Sequence, residues 1–376
     1  PLPPKASGLP ILGNALAMSN DPTSFIVEQY HKLGSIFRIQ ILDRQITVLA
    51  GRDANMFAMR EGKNVFSNRE VFIDLARTLG SELNLTALDG AAHKYVRSLS
   101  RSGYSRSRLD EGMSDAIQVM KDFAEQVQPQ DTVDSFYTMQ RLITYQLGRV
   151  ATNYPADDYF DDLLIFQRYM MNVYLMKFWP RLALQRPEFK RVKARTLELG
   201  AKVVEYHIQN PPEGLRSPDL LDDLLQEHRT NPEKFPKESV YAAAVGPYVA
   251  GQDTVASATV FLLYAILRNP EIKAAVQQEV DTLFADGVPS AMEMRKAEVL
   301  HKVAIESLRL YPVTPFMPHF ASKTFEYDGY RIEEGSEIYM AQTVTHFLPE
   351  YFEDPYAFKL DRPKPQPGTF TPFGVG

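Results

Sequence analysis

The chain has no cysteine among its 376 residues, only 1 tryptophan and only 7 histidines. The lack of cysteine excludes disulfides and cysteine-ligated metal ions within these residues. No His-x-x-x-His or His-Glu-x-x-His pattern occurs, so the sequence contains no recognisable multi-histidine metal site. No run of eighteen apolar residues occurs either, and the sequence predicts no transmembrane span.

The composition is that of an ordinary globular chain, with 44% hydrophobic and 23% charged residues. The length fits one large domain or two smaller ones, and no clear linker divides the chain, so we expect a single domain over residues 1–376. The formal net charge of -6 does not favour nucleic acid as a partner. Residues 1–14 are rich in proline and predict a stiff, extended opening segment.

Local patterns predict a helix-rich chain with small sheets. Two β-branched runs at 36–50 surround a short polar turn and predict a hairpin. A second hairpin is predicted over 325–340, with turns at the Asp-Gly pair of 328–329 and the Glu-Gly pair of 334–335. Ser217 and Pro218 predict the start of a further helix, as its N-cap and first-turn residues.

Residues 238–267 predict one long buried helix in which small side chains dominate. Small side chains let a flat ligand approach the backbone, although packing among other helices would use them equally well. Pro247 lies inside this stretch and removes the hydrogen bond to the carbonyl of Ala243. We therefore expect the helix either to bend or to begin at Pro247.

The pattern Ala-Gly-x-Asp-Thr occupies residues 250–254 of the same helix. Gly251 has no side chain and Thr254 can hydrogen-bond back to the carbonyl of residue 250, and both features loosen a helix locally. Asp253 adjoins the Thr254 hydroxyl, and an acid next to a hydroxyl suits proton delivery. The alternative is a buried Asp253 that serves only as a structural ion-pair partner.

Two further pairs of charged residues have helical spacing. Glu306 and Arg309 lie three residues apart in an apolar helix that ends at a Tyr-Pro pair, so both are predicted to be buried and to need partners. His93 and Arg97 lie one turn apart and could both reach carboxylate groups. A solvated basic face is the alternative for the second pair.

The order of these features resembles the cytochrome P-450 family of haem-thiolate monooxygenases. The resemblance covers nearly the whole chain, from the proline-rich opening through both hairpins and both charged pairs to the Phe-Gly-Val-Gly sequence at 373–376. It implies a mainly α fold with small β-sheets, shaped as a triangular prism around a long central oxygen-binding helix. It also implies haem (iron protoporphyrin) as the cofactor.

The resemblance assigns roles to individual residues. Thr254 would hydrogen-bond dioxygen, and Asp253 would link that hydroxyl to solvent as a proton relay. Arg362 would join Glu306 and Arg309 in a buried structural network. The residues expected to contact haem are His93, Arg97, Ala250, Gly251, Thr254, His319 and Phe373. The residues expected to contact substrate are Tyr248, Ala250, Val313, Phe316 and Met317.

The family ligates the haem iron with a cysteine that follows a Phe-x-x-Gly signature, which Phe373 would open. A thiolate ligand pushes electron density onto the iron and favours O–O cleavage. We therefore expect the axial cysteine and a last helix beyond Gly376, and no metal ligand within residues 1–376.

The implied reaction inserts one oxygen atom from O2 into a mid-sized apolar substrate, such as a fatty acid, terpenoid, sterol or polyketide. A ferredoxin or a flavoprotein reductase would donate the electrons. One alternative is a haem-thiolate isomerase, lyase or peroxygenase that needs no electron donor, and the other is an inactive small-molecule-binding protein. The retained Asp253-Thr254 pair favours the monooxygenase.

We expect a monomer and favour a cytoplasmic, bacterial setting. Contact with a membrane, through an anchor removed from the N-terminus, is the alternative.

Overall fold

The structure is a computed structural model that describes residues 1–101, 103–128, 130–212 and 218–375. It confirms the predicted class, mainly α with small sheets. The α-helices, in chain order, are α1 (Ala15–Asn20), α2 (Pro22–Leu33), α3 (Arg52–Val65), α4 (Arg69–Thr78), α5 (Gly90–Leu99), α6 (Arg106–Glu111), α7 (Met113–Ala124), α8 (Ser135–Ala151), α9 (Phe160–Met170), α10 (Pro187–Gln209), α11 (Leu220–Thr230), α12 (Lys237–Arg268), α13 (Pro270–Leu283), α14 (Ala291–Met294) and α15 (Glu298–Leu310).

The strands form a five-stranded and a two-stranded sheet. They are β1 (Ile36–Ile41), β2 (Arg44–Ala50), β3 (Phe66–Ser67), β4 (Met317–Ala321), β5 (Phe325–Tyr327), β6 (Tyr330–Ile332) and β7 (Glu337–Ala341). The larger sheet has the order β1-β2-β7-β4-β3, with β2 and β7 parallel and the other pairs antiparallel. The smaller sheet pairs β5 with β6.

The predicted early hairpin is confirmed as β1 and β2. The second prediction is correct only in its first half. Asp328 and Gly329 both have positive φ, 49° and 75°, as a tight two-residue hairpin turn requires, and they join β5 to β6. The Glu-Gly pair at 334–335 instead leads the chain into the larger sheet, where Ile338 and Met340 of β7 become fully buried. Burial of these two side chains decides which sheet β7 joins.

The chain forms two compact units, one of Pro1–Val71 with His301–Gly376 and the other of Phe72–Leu300. Each unit has its own apolar core, and the single domain expected from the sequence stays a prediction. In the first unit, the larger sheet is apolar on both faces. Phe37, Ile39 and Val48 pack with α2, and Ile36 and Leu49 pack with α3.

A buried charge network organises the first unit around Glu306. The Glu306 carboxylate accepts hydrogen bonds from Arg309 Nε (2.9 Å) and Nη2 (2.7 Å) and from Arg362 Nε (2.8 Å). Arg309 also donates to the backbone carbonyls of His346 (2.7 Å) and Pro355 (2.6 Å). The predicted three-membered network is therefore confirmed, and its charges are fully hydrogen-bonded, as buried ions require.

His346 joins this network to the last described segment. Its Nε2 accepts the backbone N–H of Thr371 (3.0 Å), so the proton of the neutral ring lies on Nδ1, which faces the Arg309 carbonyl at 3.2 Å. The ring stacks on Phe370, with centroids 5.3 Å apart. Burial lowers the pKa of His346 to about 3. The imidazole is therefore a neutral acceptor that orients residues 370–371.

The second unit is built around α12, which packs against α8, α10 and α11. α8 runs antiparallel to α12, since Thr152 meets Tyr248 at one end and Gln140 meets Asp253 at the other. α10 crosses so closely that a side chain at Gly200 would come within 2.7 Å of the Tyr241 carbonyl oxygen.

The start of α11 and the apolar character of α12 bear on two expectations from the sequence. Ser217, the predicted N-cap, lies outside the described residues, and α11 begins with Asp219 as its N-cap. Among the residues that the structure describes, α12 is one helix long and apolar enough to cross a membrane, with a mean hydropathy of 1.3 in its most apolar window. The central helix of a globular fold has the same length and composition.

Replacing Glu306 should destabilise the protein strongly. Glu306→Gln leaves two buried guanidinium groups without a countercharge, and we expect the free energy of unfolding to fall by about 3–5 kcal/mol. Urea denaturation measures this change. Glu333→Gln is the matched control, because that carboxylate pairs with Arg331 on the exposed surface, and its denaturation midpoint should not move. Equal effects of the two changes would contradict the role given to Glu306.

His346 should make stability dependent on pH. The pKa of His346 in the folded protein lies below the ordinary value of 6.5. Below pH 6.5 the unfolded chain therefore binds a proton at this residue that the folded chain does not bind. The contribution of neutral His346 to the free energy of unfolding is complete above pH 6.5. It falls by about 1.4 kcal/mol per pH unit as the pH falls from 6.5 towards 3. Urea denaturation at pH 7, 6 and 5 should show a shallower pH dependence for His346→Gln than for the wild type. The control His31→Gln, at an exposed position, should leave the slope of stability against pH unchanged. A wild-type slope in His346→Gln would contradict the role given to His346.

Candidate active site

The candidate catalytic turn lies on α12, which is continuous through Pro247. Proline has no N–H, so the bond to the Ala243 carbonyl is missing, yet the helix extends on both sides from Lys237 to Arg268. The structure therefore excludes the expectation that a new helix begins at Pro247. Flanking turns supply enough hydrogen bonds to keep the helix intact around the gap.

Ala250 and Thr254 lie one helical turn apart on an exposed face of α12. The Thr254 hydroxyl donates to the Ala250 carbonyl oxygen at 2.8 Å, which confirms the predicted back-bond. Ala250 contributes only a methyl group to this face. The turn thus presents a hydroxyl group beside a low, small-residue surface.

Gly251 lies against α8. A side chain at this position would meet the Leu147 Cδ1 atom at 3.0 Å, so the missing side chain makes room for α8. The expected benefit to a flat ligand is therefore not the steric reason for glycine here. Close packing of α8 and α12 is that reason, and haem contact by Gly251 stays a prediction.

Asp253 lies between these two faces, half-buried on the side of α8. Its Oδ1 atom accepts a short hydrogen bond from the Gln140 Nε2 atom of α8. Burial raises the pKa of Asp253, and the Gln140 amide opposes part of that rise. The alternative of a structural ion pair is not realised among the described residues, because the partner of Asp253 is a neutral amide.

Tyr248, a predicted substrate contact, is a structural residue. Its side chain is fully buried in the apolar core of the second unit. Its hydroxyl lies 2.7 Å from the Thr152 hydroxyl, and it also lies 3.4 Å from the Tyr154 carbonyl oxygen, to which it can donate. Helical geometry turns position 248 toward α8 and away from Ala250 and Thr254, and substrate contact by Tyr248 stays a prediction.

His93 and Arg97 lie on α5 one turn apart, as predicted. His93 is half-buried and Arg97 is exposed. Neither side chain makes a hydrogen bond or ion pair with the residues that the structure describes. Two adjacent groups that can carry positive charge are thus available to carboxylates.

The other predicted site residues belong to the first unit. His319 on β4 is buried, donates from Nδ1 to the Asn68 Oδ1 atom at 2.6 Å, and stacks on Phe66 with centroids 5.0 Å apart. Phe316 stacks on Tyr339, with centroids 4.4 Å apart. Their predicted contacts with haem and substrate stay predictions.

The remaining first-unit residues are accessible in different degrees. Val313 and Met317 are half-buried. Phe373 is 85% exposed, and Gly374 follows it with a φ of +99° that favours glycine. Gly376 lies outside the described residues. The structure brings Ala250, Asp253 and Thr254 onto one stretch of α12, whereas it gives the first-unit residues no common polar contact.

Sequence reasoning missed Gln140 and Thr144 on α8. Both are buried, and Thr144 accepts from the Gln252 Nε2 atom at 3.1 Å. Their spacing of four residues on one side of a helix that is otherwise apolar at Leu142, Ile143 and Leu147 was the available signal. It does not identify Asp253 as the partner, since the pairing depends on how α8 packs on α12.

The comparisons with known proteins decide the family. The family model described as cytochrome P450, written P-450 here, matches residues 3–376. The chain belongs to the cytochrome P-450 family. It is a haem-dependent monooxygenase, an oxidoreductase that hydroxylates its substrates.

Curated P-450 relatives share about a quarter of its sequence or less. The chain is 24% identical to a sterol 14α-demethylase of Mycolicibacterium vanbaalenii, over 97% of this chain and 83% of the relative. It is 22% identical to abscisic acid 8'-hydroxylase 4 of Arabidopsis thaliana, over 100% of this chain and 81% of the relative. A solved structure of retinoic acid-bound cyanobacterial CYP120A1 shares the P-450 fold, with a TM-score of 0.82 at 21% identity over 100% of this chain and 86% of that one.

The residues of this P-450 fit haem within each unit. The second unit offers the small-residue face at Ala250 and Thr254. In the same unit, the side chains of His93 and Arg97 have no hydrogen-bond or ion-pair partner among the described residues, which suits them to the haem propionates. In the first unit, Phe373 presents an exposed ring suited to an apolar macrocycle. Haem contact by each of these residues stays a prediction.

Proposed function

We propose that this P-450 inserts one oxygen atom from O2 into a mid-sized apolar substrate of the fatty acid, terpenoid, sterol or polyketide class. A ferredoxin or a flavoprotein reductase supplies the electrons. The observation that carries the proposal is the turn at Ala250–Thr254, where an exposed hydroxyl stands on a small-residue helix face next to a half-buried carboxyl group. Haem, when bound, supplies the redox chemistry that activates dioxygen.

Thr254 places a fixed hydroxyl group on the proposed oxygen-binding face. Its hydroxyl donates to the Ala250 carbonyl at 2.8 Å, which fixes the rotamer and leaves the oxygen lone pairs open to accept hydrogen bonds. A fixed hydroxyl is pre-organised and needs little reorganisation when charge develops beside it. The neighbouring Ala250 adds only a methyl group to this exposed face.

Asp253 holds and delivers the protons that oxygen cleavage consumes. Burial raises its pKa, so its carboxyl group retains a proton at higher pH than an exposed aspartate does. Its Oδ1 atom is held by Gln140, whereas Oδ2 makes no hydrogen bond with the described residues and is the atom at which a proton is held. Because Asp253 is only partly buried, it can reload from solvent.

The proposed substrate class rests on the names of the relatives and on the apolar side chains of the predicted substrate region. By their names, two relatives act on a sterol and on abscisic acid, and the structural neighbour is bound to retinoic acid. Val313, Phe316 and Met317 are partly exposed apolar side chains of the predicted substrate region in the first unit. Apolar walls with few polar groups select by shape and apolar area. The monomeric state and the cytoplasmic setting, with membrane contact as the alternative, stay predictions.

Substrate class and electron dependence can be tested with the full-length, haem-loaded protein. We expect dodecanoic acid, farnesol or cholesterol to shift the haem absorption band on binding, and glucose to leave it unchanged. Turnover of the bound probe should require a ferredoxin or flavoprotein reductase system and O2. Product formation without an electron donor would indicate an isomerase, lyase or peroxygenase instead. Failure of all three apolar probes to bind would overturn the substrate class.

Thr254→Ala should uncouple the enzyme. Loss of the positioned hydroxyl should lower product formed per electron consumed by about tenfold to a hundredfold, while hydrogen peroxide release rises. Thr259→Ala is the matched control, because the Thr259 hydroxyl makes the same 2.8 Å back-bond, to Val255, further along α12. Product, O2 and peroxide are measured with the best-bound probe. Coupling that stays intact in Thr254→Ala, or falls equally in Thr259→Ala, would refute the role of Thr254.

A further inference from the structure

Gln140 is a buried residue of α8 that faces Asp253, the proposed proton carrier. Its side-chain amide donates from Nε2 to the Oδ1 atom of Asp253 on α12. Gln140 is only 4% exposed, so solvent does not replace this contact readily. The contact rests on side chains from two different helices, and it is therefore a product of their packing.

Two further hydrogen bonds, both made by Thr144, fix the position of Gln140 relative to α12. The Thr144 hydroxyl donates to the Gln140 carbonyl at 2.8 Å and accepts from the Gln252 Nε2 atom at 3.1 Å. Thr144 and Gln252 are both fully buried. The two adjacent residues Gln252 and Asp253 are thus both tied to the same turn of α8, one through Thr144 and the other directly.

The charge of the environment matters because Asp253 has no cation beside it. Burial raises its pKa and the Gln140 hydrogen bond lowers it, and no charged side chain among the described residues contributes. Arg141, next to Gln140 on α8, directs its guanidinium to the Tyr145 hydroxyl at 2.6 Å. The hydrogen-bond partner of the Asp253 carboxyl group is therefore a neutral amide.

An amide can serve both protonation states of a carboxyl group. Its NH2 group donates to Oδ1 when the carboxyl group is ionised, and it still donates to Oδ1, then a carbonyl oxygen, when the proton is held on Oδ2. An arginine or lysine at the same place would instead favour the charged state strongly. A buried acid that must gain and lose protons is better served by glutamine, because it keeps a hydrogen-bond partner throughout.

We propose that Gln140 is a positioning residue for proton delivery, which holds the Asp253 carboxyl group at one place on α8 in both of its protonation states. This proposal rests on the proposed role of Asp253 as proton carrier. In this positioning role, Gln140 acts through Asp253 and does not itself touch substrate or cofactor.

Two variants that keep the length of the side chain test this role. Gln140→Met removes the donor, and the pKa of Asp253 should rise by about one unit, as expected for the loss of a hydrogen bond to a charged group. Gln140→Glu replaces the donor by a second carboxyl group, so one proton should be retained to a still higher pH. Gln140→Glu carries the test by itself if the methionine variant does not fold.

The readout is the infrared carboxyl band of Asp253, titrated against pH in the full-length, haem-loaded protein without turnover. Asp253→Asn identifies the band by removing it. The pH profile of product formed per electron, with the best-bound apolar probe, should shift in the same direction as the titration. Gln146→Met is the control, since the Gln146 side chain bonds to the Ala116 carbonyl at 3.1 Å on the opposite neighbour, α7.

The possible outcomes separate the two proposals. An unchanged Asp253 titration in the folded Gln140 variants, or an equal shift in Gln146→Met, would overturn the role of Gln140. A shifted titration with wild-type coupling in Asp253→Asn would leave Gln140 as the partner of Asp253 but refute both delivery roles. Shifts in both the titration and the coupling profile would support the inference.

Discussion

The close packing of α12 on α8 is the constraint on which the proposed chemistry depends. Gly251 allows it, because any larger side chain would press on Leu147 at 3.0 Å. Since successive residues of a helix point about 100° apart, the packing divides three neighbours among three environments. Gln252 is buried against Thr144, Asp253 is half-buried beside Gln140, and Thr254 is exposed. One turn of helix thus combines a structural contact, an acid and an exposed hydroxyl.

The carboxyl groups of Glu306 and Asp253 have opposite kinds of partner. Glu306 receives two guanidinium groups, which suits a fixed structural centre. Asp253 receives one neutral amide, so that burial raises its pKa and a proton can remain on it. The difference lies in the partner and not in the acid. A structural carboxylate needs its charge compensated at all times, whereas a proton carrier must be stable in both states.

The sequence predicted much of this arrangement where the signal is local or lies in a motif. The early hairpin, the turn at 328–329, the Thr254 back-bond and the triad of Glu306, Arg309 and Arg362 are all confirmed. Two features were not foreseen from the sequence. β7 was assigned to a local hairpin but pairs in the larger sheet, and Tyr248, close in sequence to Ala250, is buried against α8. Helical rotation and the choice of sheet partner decide such cases, and neither is visible along the chain.

The amino-acid sequence by itself determined the helix-rich class, the motif order typical of the P-450 family, and the residues that supply the hydroxyl, the acid and the buried ion network. These follow from residue type and short-range spacing. Only the tertiary structure decided that Gly251 serves helix packing, that Tyr248 belongs to the core, and that Gln140 is the partner of Asp253. Gln140 and Asp253 are more than a hundred residues apart, and their contact exists only because two antiparallel helices bury the same polar groups.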